Sequence, residues 1–89
     1  MTQAIGELTD RMRDIFGLVV EAYLERGLPI GSKALAGAVN LSPASIRGVM
    51  QELEERGLLT HPHTSAGRIP TESGLRLFLR KRILHGRGH

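Results

Sequence analysis

A mostly helical α+β fold, with a three-helix core, a small β-hairpin and a C-terminal helix, is predicted by three observations on this 89-residue sequence. Three long segments carry apolar residues at helical spacing. Between the first two of them lies room for one more short helix, joined to its successor by a turn of only two residues, Asn40 and Leu41. Two short segments around a loop of Pro, Gly, Ser and Thr read as strands rather than as another helix.

The elements follow in order. Thr9 can cap a first helix whose Met12, Ile15, Phe16, Val19, Val20 and Tyr23 share one face, and Gly27 can end it ahead of Pro29. Pro29, Ile30 and Gly31 are too few for an independent strand but can add an edge to a small sheet. Ser32 is expected to cap a second helix from Lys33 to about Val39. Ser42 then caps a third, with Pro43 at the first helical position, where a missing N–H costs nothing. Gly57 closes this helix after Arg56. Residues 58–61 can form a strand, 62–67 a loop, and Arg68, Ile69 and Pro70 a return strand. Thr71 can cap a last helix in which Leu75, Phe78, Leu79 and Ile83 face one way and Arg76, Arg80 and Arg82 the other. The chain is read as a single domain over 1–89, with an ordered core over about 8–84 and a loose tail at 85–89. This order is that of a winged helix-turn-helix, with the hairpin as the wing, although helix pairs of this kind also occur without any role in DNA binding.

Composition narrows the function classes. With 40% hydrophobic and 24% charged residues the chain has the balance of a folded domain, and its length allows one core. There is no cysteine, which excludes disulfides and thiolate metal sites and points to a reducing, cytoplasmic setting. No run of about 18 apolar residues and no basic-then-apolar leader suggests a membrane or secretion. Net charge is +3, but unevenly placed: residues 1–60 hold six basic and eight acidic side chains, whereas 61–89 hold six basic ones and only Glu72. Such a block is either a solvated face or a polyanion site.

The third helix carries two stripes. Ile46, Val49, Met50 and Leu53 are core. Ala44, Arg47, Gly48 and Gln51, joined at the helix start by Ser45, are either a plain solvated face or a surface that approaches a major groove closely and reads base edges, with Arg47 and Gln51 as the readers. Glu52, Glu54 and Glu55 would repel phosphates, so only the first half of the helix could lie deep in the groove. Ser42 and Ser45 could donate to a phosphate, and Ser32 and Lys33 could clamp the sugar-phosphate backbone. The loop from His61 to Pro70 offers small donors, His63, Thr64 and Ser65, around Gly67, with Arg68 at its base, suited to phosphate or a narrow minor groove or else to an ordinary polar turn. His61 and His63 could start a metal site but lack further ligands, so no cofactor is expected. No nucleophile–base arrangement or nucleotide loop stands out, which argues against an enzyme.

The runs Gly31-Ser32-Lys33-Ala34-Leu35, Leu41-Ser42-Pro43-Ala44-Ser45-Ile46-Arg47 and Leu53-Glu54-Glu55-Arg56-Gly57-Leu58-Leu59, followed by the wing Pro62-His63-Thr64-Ser65-Ala66-Gly67-Arg68-Ile69-Pro70-Thr71, resemble the DNA-binding domain of the heat-inducible transcription repressor family, HrcA, from about Leu8 to Leu79. The sequence departs from the family pattern at Gly48, where asparagine is usual, and at Leu75, Leu77 and Phe78, where tyrosines are. The resemblance implies a bacterial, cytoplasmic and nucleoid-associated repressor of heat-shock or chaperone genes that binds an inverted-repeat operator in double-stranded DNA. It also implies a homodimer in a full-length context, this chain alone being monomeric, with modulation by a chaperonin and no membrane role. A winged helix used for protein or RNA contacts is the alternative.

Overall fold

The computed structural model describes residues 8–62 and 67–86, with side chains described as far as 80. Helix α1 runs Asp10–Arg26. Thr9 lies in extended backbone and its Oγ1 accepts from the Met12 N–H at 3.1 Å, while Asp10 in the first turn pairs with Arg13 at 2.9 Å. Five of the six residues of the expected apolar face, Met12, Ile15, Phe16, Val19 and Val20, are buried, and Tyr23 in the last turn is only half-buried. At the far end Gly27, at φ 70°, donates to the Tyr23 carbonyl at 2.7 Å.

Helix α2, Ser32–Ala36, is shorter than its sequence suggests and is capped differently. Ser32 is the first helical residue, not the cap. Gly31 takes the cap position without any side-chain bond, and its carbonyl accepts from Leu35 at 3.2 Å. The helix stops before Val39 because Gly37 is a poor helix residue and the Ala38 N–H tightens the last turn by bonding the Leu35 carbonyl three residues back, at 2.8 Å, beside the Val39 N–H at 3.1 Å. Leu35 is the fully buried residue of this helix.

Helix α3, Pro43–Glu55, begins as expected: Ser42 Oγ accepts from the Ser45 N–H at 3.1 Å and Pro43 occupies the first turn. It ends in a Schellman motif. Leu58 N–H reaches the Leu53 carbonyl and Gly57 N–H the Glu54 carbonyl, both at 3.0 Å, with Gly57 at φ 80°. Ile46, Met50 and Leu53 are buried and Val49 packs beside them.

Strands β1 (Leu59–Thr60) and β2 (Ile69–Pro70) pair antiparallel, Leu59 opposite Pro70 and Thr60 opposite Ile69. The expected edge is present as one bridge: Ile30 and Arg68 exchange both backbone bonds, at 3.1 and 2.9 Å. Gly67 sits where that third segment crosses, and a Cβ there would stand 2.9 to 3.0 Å from Pro29 and the Ile30 nitrogen. Thr71 caps α4 (Glu72–Gly86), accepting from Gly74 N–H at 2.9 Å and donating its hydroxyl to the Gly57 carbonyl at 2.7 Å. Phe78 meets Phe16 edge to face, ring centres 6.3 Å apart, and Leu75 packs with it on the core. Leu79 does not join that face and stays 44% exposed. The side chain of Ile83 lies outside the described residues. The expected tail from 85 is helical as far as Gly86, and residues 87–89 lie outside the described residues.

One core results. Leu8, the five buried residues of α1, Leu35, the three of α3 and Leu59 form a single cluster, so the exposed side of α3 is held at a fixed angle by the helix's own buried side.

Candidate nucleic-acid interface

Burial of Ile46, Met50 and Leu53 leaves the opposite side of α3 to solvent. Ala44, Ser45, Arg47, Gly48 and Gln51 are all exposed there. Gly48 has open space around it, with no atom beyond its chain neighbours and the local helix backbone within 4 Å of where a Cβ would lie, so the helix presents bare backbone at its middle. Ser42 and Ser45 are tied to each other, Ser42 Oγ lying 3.1 Å from Ser45 Oγ. The capping role of Ser42 is thus fulfilled within the exposed helix start.

Two grooves flank this side. One is lined by Gly31, Ser32, Lys33, Pro43, Arg47, Met50, His61 and Arg68. The other is lined by Arg47, Gln51, Glu54, Glu55, His61 and Arg68. Arg47 therefore stands between them, with Lys33 exposed on one side and the base of the wing on the other. The structure brings together Ser32 and Lys33 of α2, Arg47 and Gln51 of α3 and, from farther along the chain, Arg68 just before β2.

The base of the wing is organised by a residue the sequence does not single out. Glu54 Oε1 accepts from Arg68 Nε at 3.0 Å, and its Oε2 lies 2.6 Å from His61 Nδ1. A carboxylate only accepts, so that ring nitrogen carries the proton. Arg68 is the more enclosed partner, 17% exposed, and Gly67 before it is buried. His61 is thus a carboxylate partner; no group of three or more histidine, cysteine, aspartate or glutamate side chains that could hold a metal ion occurs among the described residues. His63, Thr64 and Ser65, the remaining expected wing contacts, lie outside the described residues. Sequence reading groups Glu54 with Glu52 and Glu55 because all three follow one another on α3. The distinguishing fact, that Arg68 and His61 return to it across 14 and seven residues, has no local signature.

A three-helix core, a turn-linked pair of helices with an exposed second helix, and a hairpin beside it define a winged helix-turn-helix domain. The comparisons specify which one. Residues 7–82 match the family model described as winged helix-turn-helix transcription repressor, HrcA DNA-binding, and the chain belongs to that family. It is similar to the heat-inducible transcription repressors HrcA of Sphingopyxis alaskensis, 66% identical over 80 residues covering 88% of this chain and 23% of the relative. For those of Novosphingobium aromaticivorans and Zymomonas mobilis the identity is 69%, over 84% and 82% of this chain and 22% and 21% of the relatives. A solved structure described as "Crystal structure of a hypothetical protein at 2.2 A resolution" superposes with a TM-score of 0.82 at 39% identity, covering 90% of this chain and 26% of that one. The chain thus spans about a quarter or less of the length of these relatives. The family is one of repressor DNA-binding domains and not of enzymes. No helix among the described residues is long and apolar enough to cross a membrane.

Proposed function

We propose that this domain reads one half-site of an inverted-repeat operator with the exposed side of α3 and holds the flanking sugar-phosphate backbone with the groups around it. The observation that carries the reading is the exposed stripe of Ala44, Ser45, Arg47, Gly48 and Gln51, small residues interleaved with two long hydrogen-bonding side chains. Small residues let the backbone enter a major groove, and arginine and glutamine have the bidentate geometry for guanine and adenine edges. Ser32, Lys33 and Ser42 contact phosphates at the helix starts. The wing, through His63, Thr64, Ser65 and Arg68, adds phosphate or minor-groove contacts, while Gly67, expected from the sequence to join them, is buried against Pro29 and Ile30 and shapes the base of the wing instead.

In a longer repressor resembling its relatives, two such domains face the two halves of the operator as a homodimer and silence heat-shock or chaperone genes in the cytoplasm, with a chaperonin as modulator. The test is selection from a random duplex pool, followed by competition between the selected duplex, a scrambled duplex and RNA duplex of equal length at several salt concentrations. A specific DNA reader keeps a preference beyond the shared phosphate attraction. Equal binding of RNA and DNA, with no sequence enriched, would assign the surface to the alternative use of the fold.

A further inference from the structure

The acidic end of α3 is where a DNA-binding helix meets phosphates at the least advantage, since each carboxylate facing the duplex opposes binding. Two of its three carboxylates fit that description. Glu52 and Glu55 are exposed, and neither is held in an ion pair among the described residues. Glu54 differs. It is 25% exposed and its two oxygens are divided between Arg68 and His61, at 3.0 and 2.6 Å. His61 follows β1 and Arg68 precedes β2, so one carboxylate on α3 ties both arms of the hairpin where the wing leaves the sheet. Both tied side chains, with Arg47, line the two grooves that flank α3.

We propose that Glu54 is a positioning residue of the DNA-binding surface: it holds Arg68 and His61 against α3 beside Arg47, and its carboxylate strengthens DNA binding instead of opposing it. The inference deepens the DNA-binding reading and rests on it. The bond to Arg68 is made through Nε, so the carboxylate fixes the plane of the guanidinium. A long side chain that is already fixed loses less freedom when a phosphate meets it. The charge on Glu54 is compensated within the protein by the arginine it holds.

The sign of one substitution decides the matter. Glu54→Gln and Glu55→Gln each remove one negative charge from neighbouring positions lining the same groove, so their long-range effect on a polyanion is alike. They differ in what is let go. The experiment titrates a mixed-sequence duplex of about 21 base pairs, two helical turns, at three salt concentrations, with thermal melts showing that each variant is folded at the titration temperature. Glu55→Gln tightens binding roughly twofold. Glu54→Gln weakens it roughly three- to tenfold, within the lower part of the range of coupling between touching groups, and most of that weakening disappears in an Arg68→Ala background. His61→Ala, which cuts one tie at an exposed residue, weakens binding in the same direction. Tightening by Glu54→Gln to match Glu55→Gln, weakening undiminished in the Arg68→Ala background, or no effect of His61→Ala would each overturn the proposal. The DNA reading fails by a different result, which overturns both: wild type binding the duplex no better than the combined Lys33→Ala, Arg47→Ala and Arg68→Ala variant.

Discussion

Gly74 in the first turn of α4 stands so close to Leu58 that a Cβ on residue 74 would lie 2.2 Å from the Leu58 carbonyl oxygen. The same oxygen accepts the Thr71 N–H at 3.1 Å, so the end of the α3 turn and the start of α4 meet at one carbonyl. Nothing flexible can give way there, because the obstructing atoms are backbone.

Gly74→Ala is therefore expected to destabilise the domain although alanine is the better helix residue. The helix gain is about 1 kcal/mol, and displacing packed backbone costs typically about 1 to 3 kcal/mol and sometimes more. A net loss appears as a fall in Tm of about 4 to 8 °C per kcal/mol for a domain of this size. A melt at or above the wild-type Tm would show that α4 does not press on Leu58.

Arg68 has two roles to lose. Its pairing with Glu54 is mostly enclosed, and truncation leaves that carboxylate with His61 alone. Arg68→Ala is expected to lower stability by about 1 kcal/mol, near the upper end for pairs that are not fully buried. It should also weaken binding to all duplex sequences alike and reduce the salt slope by about one for the lost phosphate contact. An unchanged slope together with an altered base preference would contradict a backbone role.

Affinity should depend on pairing two domains. A single module of this kind buries roughly 600 to 1,000 Å² on DNA, and the relatives are several times longer than this chain. The 89-residue chain is expected to be largely monomeric and to bind weakly, and fusion to an unrelated dimeriser to restore tight binding. Sedimentation with operator titration checks this. Nanomolar binding of the unfused chain to a single half-site in physiological salt would remove the two-fold argument.

How far each feature could be read from the sequence follows the range of the interaction that makes it. The caps at Thr9, Ser42 and Thr71 and the stops at Gly27 and Gly57 act over three to five residues, and all five are found where the sequence puts them. The apolar faces of α1 and α3 are equally local in origin. Ser32 failed as a cap because Gly31 competes for the same position one residue earlier, and backbone bonding decides between them. Leu79 has the same helical spacing as Leu75, yet which side of α4 is covered depends on Phe16, far away in sequence. The same holds at the interface. The stripe on α3 is legible because it shares one helix, whereas the Glu54 clamp and the closeness of Gly67 to Ile30 exist only once the hairpin has folded back.

The exposed stripe of α3 permits variants that differ in kind and not merely in degree. Arg47 and Gln51 are exposed neighbours one turn apart, while Ile46, beside Arg47 in sequence, is fully buried. Arg47→Ala or Gln51→Ala should leave the melt nearly unchanged and relax preference at one position of each half-site by about 1 to 3 kcal/mol of discrimination. Ile46→Ala should do the reverse, costing about 2 to 5 kcal/mol of stability through a core cavity while the folded fraction keeps its base preference. Gly48 separates groove approach from helix strength. It meets no neighbour, so Gly48→Ala introduces no clash within the protein and should stabilise α3 by about 0.5 to 1 kcal/mol. If bare backbone is needed against the duplex, the same variant binds the selected operator more weakly despite its higher Tm. Melts and operator titrations on the four variants check all of this together, and sequence selectivity that survives both Arg47→Ala and Gln51→Ala would take this face of α3 out of the recognition surface.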